Sequence, residues 1–389
     1  PPPPTLELDR RQRQMCIRDS VKDGRLLVAG LAPEQHGDRM ALFLQWKGME
    51  DMPVMLDSYN LLGLKVVPTT LLIDEAGIIR HRNPSRQDLT EFLAEPRAEV
   101  GSAPPAPRLS PPWEWIDERL ADLELLMTRV PKSPEARPDA AAIHFQLGVA
   151  FRKRHESSLR KEDDFSVAVE YWRRALEIDP SNYIWRRRLQ QYGPILDKPY
   201  PFYHWIAQAR EQITERGGTP LPLMAEPSGA ELARPGGQRA AVMATDLPPH
   251  PDPDGKLPRE TGAFFSFSKA VVPHTAKPEA AARVFVETAP LPTHRAKWND
   301  EAGLSSIRVI APAGWTAHPA VLPLSPRGGP DPLHEARGVE FELRRDKDAP
   351  VSDEHPVGSL EIFTHVCHGR EGTCEFRRRD VPFSPPRTP

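Results

Sequence analysis

The stretch Leu64-Lys65-Val66-Val67-Pro68-Thr69-Thr70-Leu71-Leu72-Ile73-Asp74, followed by Gly77-Ile78-Ile79-Arg80, decides how the N-terminal region reads. Residues 69–73 are mostly β-branched or aliphatic and Asp74-Glu75-Ala76-Gly77 is turn chemistry, so the segment predicts a β-hairpin. Towards the N-terminus, residues 59–64 predict a brief helix closed by Gly63, and residues 52–56 a short strand. Residues 34–48 place Met40, Phe43, Leu44 and Lys47 at i, i+3, i+4 and i+7, the spacing of one helix face. Residues 26–31 are an apolar run too brief for a helix, bounded by Gly24 and Ala32-Pro33, and predict a buried strand. Residues 86–93 supply a closing helix. The order β, α, β, short α, hairpin, α makes residues 25–96 an α/β domain.

These residues resemble the thioredoxin fold, in the redoxin branch related to the alkyl hydroperoxide reductase/thiol-specific antioxidant family and to membrane-anchored periplasmic thioredoxins. The resemblance implies that Pro68 is a cis-proline facing a redox dithiol, and that Val67, Pro68 and Thr69 line a substrate groove. A cis X-Pro bond is rare and occurs where a turn demands it; a trans proline opening a strand is the plain alternative. The family also implies an extracytoplasmic, periplasmic location, although no signal peptide is visible. Its chemistry needs a cysteine, usually Cys-X-X-Cys, at a helix N-terminus, where dipole and free amides lower the thiol pKa. The only upstream candidate, Cys16, stands ten positions before Leu26, too near for a helix and its connection, and has no partner two or three residues away. It is rejected as the nucleophile. The chain opens on four prolines, and Gln14-Met15-Cys16-Ile17-Arg18-Asp19-Ser20 looks like a translated sequencing-adaptor remnant. Residues 1–24 are therefore expected to be a disordered or non-native leader, and residues 25–96 a thioredoxin-like domain incomplete at its N-terminus.

Composition bounds the rest. Among 389 residues, 51 Lys+Arg against 54 Asp+Glu leave a net charge of −3, which excludes nucleic-acid binding by bulk electrostatics. No apolar run approaches the length of a membrane span. With 46 prolines and 24 glycines, the chain reads as packed domains between loose segments. Residues 97–112 and 217–262 are Pro-rich or Pro/Gly-rich linkers by that criterion.

Between them, residues 113–216 predict a helical array. Trp113, Ile116, Leu120, Leu123 and Met127 recur at helical spacing, and further helices are expected over 182–191 and 200–216. Leu147, Gly148 and Phe151, followed by Ala168, Trp172, Ala175 and Pro180, resemble the two helices of a tetratricopeptide repeat, with residues 155–162 as a charged insertion between them. Small residues at Gly148, Ala168 and Ala175 would let the helices approach closely while aromatics fill the groove. Such a surface implies a peptide or protein partner. Arg186-Arg187-Arg188 reads as a solvated face rather than an anion site.

From Phe264 onward, strands over 283–288, 305–310, 339–343, 359–366 and 375–383, separated by Pro/Gly turns, predict an all-β sandwich over 263–389. Leu360-Glu361-Ile362-Phe363-Thr364-His365-Val366-Cys367, then Gly372-Thr373-Cys374, with Lys297-Trp298-Asn299-Asp300-Glu301 and Gly314-Trp315 upstream, resemble the immunoglobulin-like N-terminal domain of the transmembrane thiol-disulfide interchange protein. The resemblance implies that Cys367 and Cys374 sit across a hairpin and shuttle electrons. Six residues separate them, with Gly369 and Gly372 to make the turn, and such a loop can bring two Cα atoms within about 5.5 Å. A redox pair, a structural staple and two free thiols all stay open. Zinc on His365, Cys367, His368 and Cys374 fits no usual ligand spacing, so neither metal nor other cofactor is expected. The fold class is thus multidomain: a truncated thioredoxin-like α/β domain, a tetratricopeptide-type helical array and an immunoglobulin-like sandwich. The expected function is thiol–disulfide oxidoreduction on a thiol or disulfide protein partner. By this reading the chain is inactive for want of an upstream dithiol; the rival is a non-catalytic scaffold with a degenerate thioredoxin fold.

Overall fold

In the computed structural model, residues 21–94, 115–131, 133, 136–195, 202–223, 226–227, 248–326, 331–349 and 356–386 are described. Cys16, Trp113, the 97–112 linker and most of the expected leader lie outside the described residues. The chain divides into two compact units: residues 1–115, 181–184 and 209–224, and residues 116–180, 185–208 and 225–389. Seven helices and several mostly antiparallel sheets make the described residues mixed α and β.

In the first unit, β1 (Gly30–Ala32) and β2 (Val54–Leu56) pair in parallel around α1 (Gly37–Lys47). The hairpin follows as β3 (Leu71–Ile73) and β4 (Ile79–Arg82), then α2 (Arg86–Ala94). No ladder joins the two pairs among the described residues. Asp74 makes the hairpin turn by accepting the N–H groups of Ala76 and Ile78. At the start of α2, Ser85 and Asp88 cap each other's main-chain N–H, a capping box with Asp in the acidic position.

Three expectations are corrected here. The strand begins only at Gly30, and Leu27 is 79% exposed rather than buried. Arg39 and Leu42 are the buried residues of α1, whereas Phe43 is exposed. Residues 59–64 form turns, not a helix. The cause is local: Asp57 Oδ1 accepts the Leu61 N–H, and the Asn60 side chain bonds both the N–H and the C=O of Leu64. Short polar side chains that capture main-chain groups compete with the helical ladder.

The second unit is layered. One sheet has the order β5 (Phe265–Pro273), β6 (Ala281–Pro290), β11 (Arg337–Arg345), β9 (Trp315–His318). The other has the order β10 (Val321–Pro323), β8 (Ser306–Ile310), β12 (Gly358–His368), β13 (Thr373–Phe383), with β7 (Lys297–Trp298) also on β12. Both sheets contribute to one core, in which Val284, Phe341, Trp298, Ile307 and Ile362 meet. Alternation along each strand sends every second residue there.

The far face of the first sheet carries α5 (Asp164–Ile178) and the part of α6 (Tyr183–Tyr192) that belongs to this unit, with α4 (Arg137–His155) packed on α5 and α3 (Ile116–Arg129) on α4. The seventh helix, α7 (Trp205–Glu215), divides between the units. Phe285 on β6 points away from the core and meets Phe165 and Tyr192, with ring centroids 5.1 and 6.3 Å apart. The Ser166 hydroxyl donates to the Lys269 carbonyl on β5, and Arg160 pairs with Glu287. The charged insertion between α4 and α5 thus docks on the sheet. On the outer face of the second sheet lie residues 248–260, the end of the segment that composition reads as a linker; Asp252 and Glu260 are buried there. No helix among the described residues is long and apolar enough to cross a membrane.

Candidate active site

The register of β12 on β13 is unbroken from Gly358↔Phe383 to His368↔Thr373, and it sets Cys367 directly opposite Cys374. The two sulfurs are bonded at 1.98 Å, with Cα atoms 4.0 Å apart. The turn between them uses Gly369 at φ 74° and Gly372 at φ 68°, backbone that side-chain-bearing residues rarely adopt. Cys367 is 7% exposed and Cys374 is exposed, its Sγ lying 3.3 Å from the Gly372 carbonyl oxygen. Because both thiols are spent in this bond, the four-ligand zinc arrangement has no thiolate to offer. Among the described residues no three His, Cys, Asp or Glu side chains gather as a metal would require.

Period-two alternation puts Cys367, His365, Phe363 and Glu361 on the outer face of β12, opposite Cys374, Phe376, Arg378 and Asp380 of β13. His365 stacks on Phe376 with centroids 4.1 Å apart, and its ring passes over Gly303, where a Cβ would come within 3.1 Å of Nε2. Burial pushes the His365 pKa below its ordinary 6.5. That shift disfavours an imidazolium beside Cys367, the usual way a histidine activates a thiol. On the inner face, His368 stacks on Phe264 at 4.1 Å and lies 3.5 Å from Glu375 Oε1. The Arg377 guanidinium, donating to Glu375 at 2.6 Å, holds that carboxyl below the usual carboxylate range.

No protein-family model matches the chain, and neither does any curated protein.

The other sequence-derived site residues fall in separate places. Val67, Pro68 and Thr69 belong to the first unit, whereas Cys367 and Cys374 belong to the second. The Val67–Pro68 bond is cis, and the Thr69 hydroxyl donates to the Val66 carbonyl at 2.8 Å. Val67 and Pro68 are exposed, so this surface is open.

In the helical pair, Leu147, Gly148, Ala168, Trp172 and Ala175 are all buried. A Cβ on Gly148 would lie 2.5 Å from the Trp172 ring and 2.9 Å from the Ala168 carbonyl, so the helices touch as closely as backbone allows. Phe151 is half-buried and stacks on Tyr171 at 5.6 Å. Pro180 is exposed, just beyond α5. The basic run is not a solvated face: Arg188 is buried, the Arg187 guanidinium lies 4.0 Å over the Phe202 ring, and Arg186 donates to the Pro180 carbonyl.

Sequence reading missed the strap over the outer face. Arg378 Nη2 donates to Glu361 at 2.6 Å and Nη1 to Asp252 at 3.3 Å, while Nε reaches Asp380 at 2.7 Å. His250 Nε2 lies 2.9 Å from the other Glu361 oxygen. Main-chain bonds complete the strap, from Arg378 N–H to Pro258 and from Glu260 N–H to Arg378. The one signal in the sequence was the alternation Cys374, Phe376, Arg378, Asp380, which marks a single face.

Proposed function

We propose that this chain takes part in thiol–disulfide exchange as a redoxin-type protein, with Cys367 and Cys374 as its exchangeable pair. The carrying observation is the asymmetry of the bond, which joins an exposed Cys374 beside a glycine turn to a buried Cys367. A partner thiolate attacks Cys374 Sγ and forms a mixed disulfide. The Cys367–Cys374 bond breaks, and Cys367 leaves as a thiolate that takes up a proton. A second partner thiol then attacks its own sulfur of the mixed disulfide, so the partner departs as a disulfide and the pair remains as two thiols. Two electrons pass from partner to pair, and the reverse sequence oxidises a partner dithiol.

Supporting features run along the chain. The β-α-β order followed by a hairpin supports a thioredoxin-like fold in the first unit, whose groove would be Val67, Pro68 and Thr69. The Gly148–Trp172 contact supports a tetratricopeptide-type pair, with a peptide or protein as its partner. Two sheets around one core support an immunoglobulin-like sandwich. A disulfide persists in oxidising compartments, which fits an extracytoplasmic location. A second reading, a non-catalytic scaffold, is favoured by the absence of cysteine from the described residues of the first unit.

Incubating the native protein with reduced glutathione and trapping with an alkylating agent tests the exchange. The glutathione adduct is expected on Cys374, with the alkyl group on Cys367. Adduct on Cys367, or no adduct without denaturant, would refute the proposal.

A further inference from the structure

The structure assigns to the free edge of β13, beside the disulfide, the docking of an extended strand from a partner protein that carries the reactive cysteine. This rests on the exchange reading above and specifies how the partner approaches. β13 is the last strand of its sheet. Arg378 turns its N–H and C=O outward, because both bond the strap at Pro258 and Glu260, 3.0 and 2.8 Å away. The register on β12 has no bulge, so Phe376 and Cys374, two and four positions back, present their N–H and C=O to the same edge. Among the described residues neither of those main-chain groups is hydrogen-bonded.

Long edge strands are normally shielded, since their unpaired groups invite another strand. Here the chain's own strap pairs in parallel at Arg259↔Arg378, and among the described residues no strand pairs with the edge next to the cysteines. An incoming strand would add to this edge by β-augmentation, running antiparallel to β13 where the strap runs parallel to it.

The geometry then delivers the thiol. A residue opposite Cys374 in a hydrogen-bonded antiparallel pair would have its Cα about 5.5 Å away, inside the span of about 4.4–6.8 Å that disulfides use. Its side chain would share the outer face with Cys374. Cys367 lies on the other side of Cys374, on β12, so the new sulfur would approach along the line of the bond it displaces. Exchange at a disulfide sulfur requires that back-side approach.

The test uses the native protein and two Thr/Val-rich peptides, each with one central cysteine. One peptide is N-methylated two residues before the cysteine, on the amide that would face the Phe376 carbonyl; the other is methylated three residues before it, on the opposite edge. Dithiothreitol serves as a small thiol that needs no docking. The second peptide should form the mixed disulfide at Cys374 about fivefold faster, the worth of one main-chain hydrogen bond. Equal rates with ready reduction by dithiothreitol would overturn the docking and leave the exchange reading standing. No reduction by dithiothreitol would remove that reading, and the docking with it. A mass that doubles with protein concentration and blocks the peptide would show the edge to be taken by a second copy, which also overturns the proposal.

Discussion

Replacing Arg337 with alanine is expected to lower the stability of the second unit by about 3–5 kcal/mol, the range for breaking a buried ion pair. The side chain is 0% exposed, between the sheets. It donates to both oxygens of Asp300 at 2.6 and 2.7 Å and to the carbonyls of Leu324 and Pro332 at 3.1 and 3.0 Å, and its guanidinium lies 4.4 Å over the Trp298 ring. Truncation would leave those acceptors unpaired and a void beside the largest core aromatic. Since domains hold only about 5–15 kcal/mol in total, the denaturant midpoint should fall sharply. A loss below about 1 kcal/mol would contradict this role. The arginine's hydrogen bonds also hold the Asp300 carboxyl below its ordinary 3.8. That contribution is fully present above pH 3.8 and is lost as pH falls through the lower folded value, so Arg337→Ala should lose less stability to acid than the native protein.

A comparable loss, about 3–5 kcal/mol, is expected for Arg154→Ala between the paired helices. Arg154 donates to Asp164 through Nε at 3.2 and 3.1 Å and through Nη2 at 2.7 Å, and to Asp117 through Nη1 at 2.6 Å. Asp164 is 2% exposed and opens α5, where among the described residues the other hydrogen bond to its carboxylate is from the Lys161 N–H. Without the guanidinium a carboxylate is left buried and nearly alone. Loss of the charge should be separable from loss of packing: Arg154→Met with Asp164→Leu should recover most of the stability. If the double variant is as unstable as the single one, the pair is not what holds the loop.

Both arginines illustrate what the sequence could and could not reveal. The cysteine hairpin was legible because its determinants are adjacent: alternation along residues 359–367 and 374–383, with Gly369 and Gly372 between them. The hairpin at residues 71–82 was legible for the same reason, since Asp74 and Gly77 alone make its turn. The turns at residues 59–64 were misread because apolar spacing outweighed Asp57 and Asn60, whose side chains take the main-chain groups a helix would use. Leu26 and Leu27 looked like strand for want of any local sign that no neighbouring chain would cover them. The run Arg186-Arg187-Arg188 and the strap at residues 248–260 depend on partners far along the chain, Phe202 in one case and Glu361 and Arg378 in the other. Composition carries no trace of such pairings, and a proline-rich strap reads the same as a linker. For the site itself, sequence located both sulfurs but not the burial of His365 against Phe376, which pushes its pKa down.

Thiol–disulfide exchange requires the Cys367–Cys374 bond to open and close in the folded protein. The most direct test is a titration of the native protein against a graded thiol/disulfide buffer, with alkylation and mass measurement at each step and far-ultraviolet circular dichroism alongside. A single two-electron transition confined to these cysteines is expected, with the spectrum unchanged throughout. A bond that stays oxidised until the spectrum collapses would be a structural staple and would rule out exchange in the folded protein.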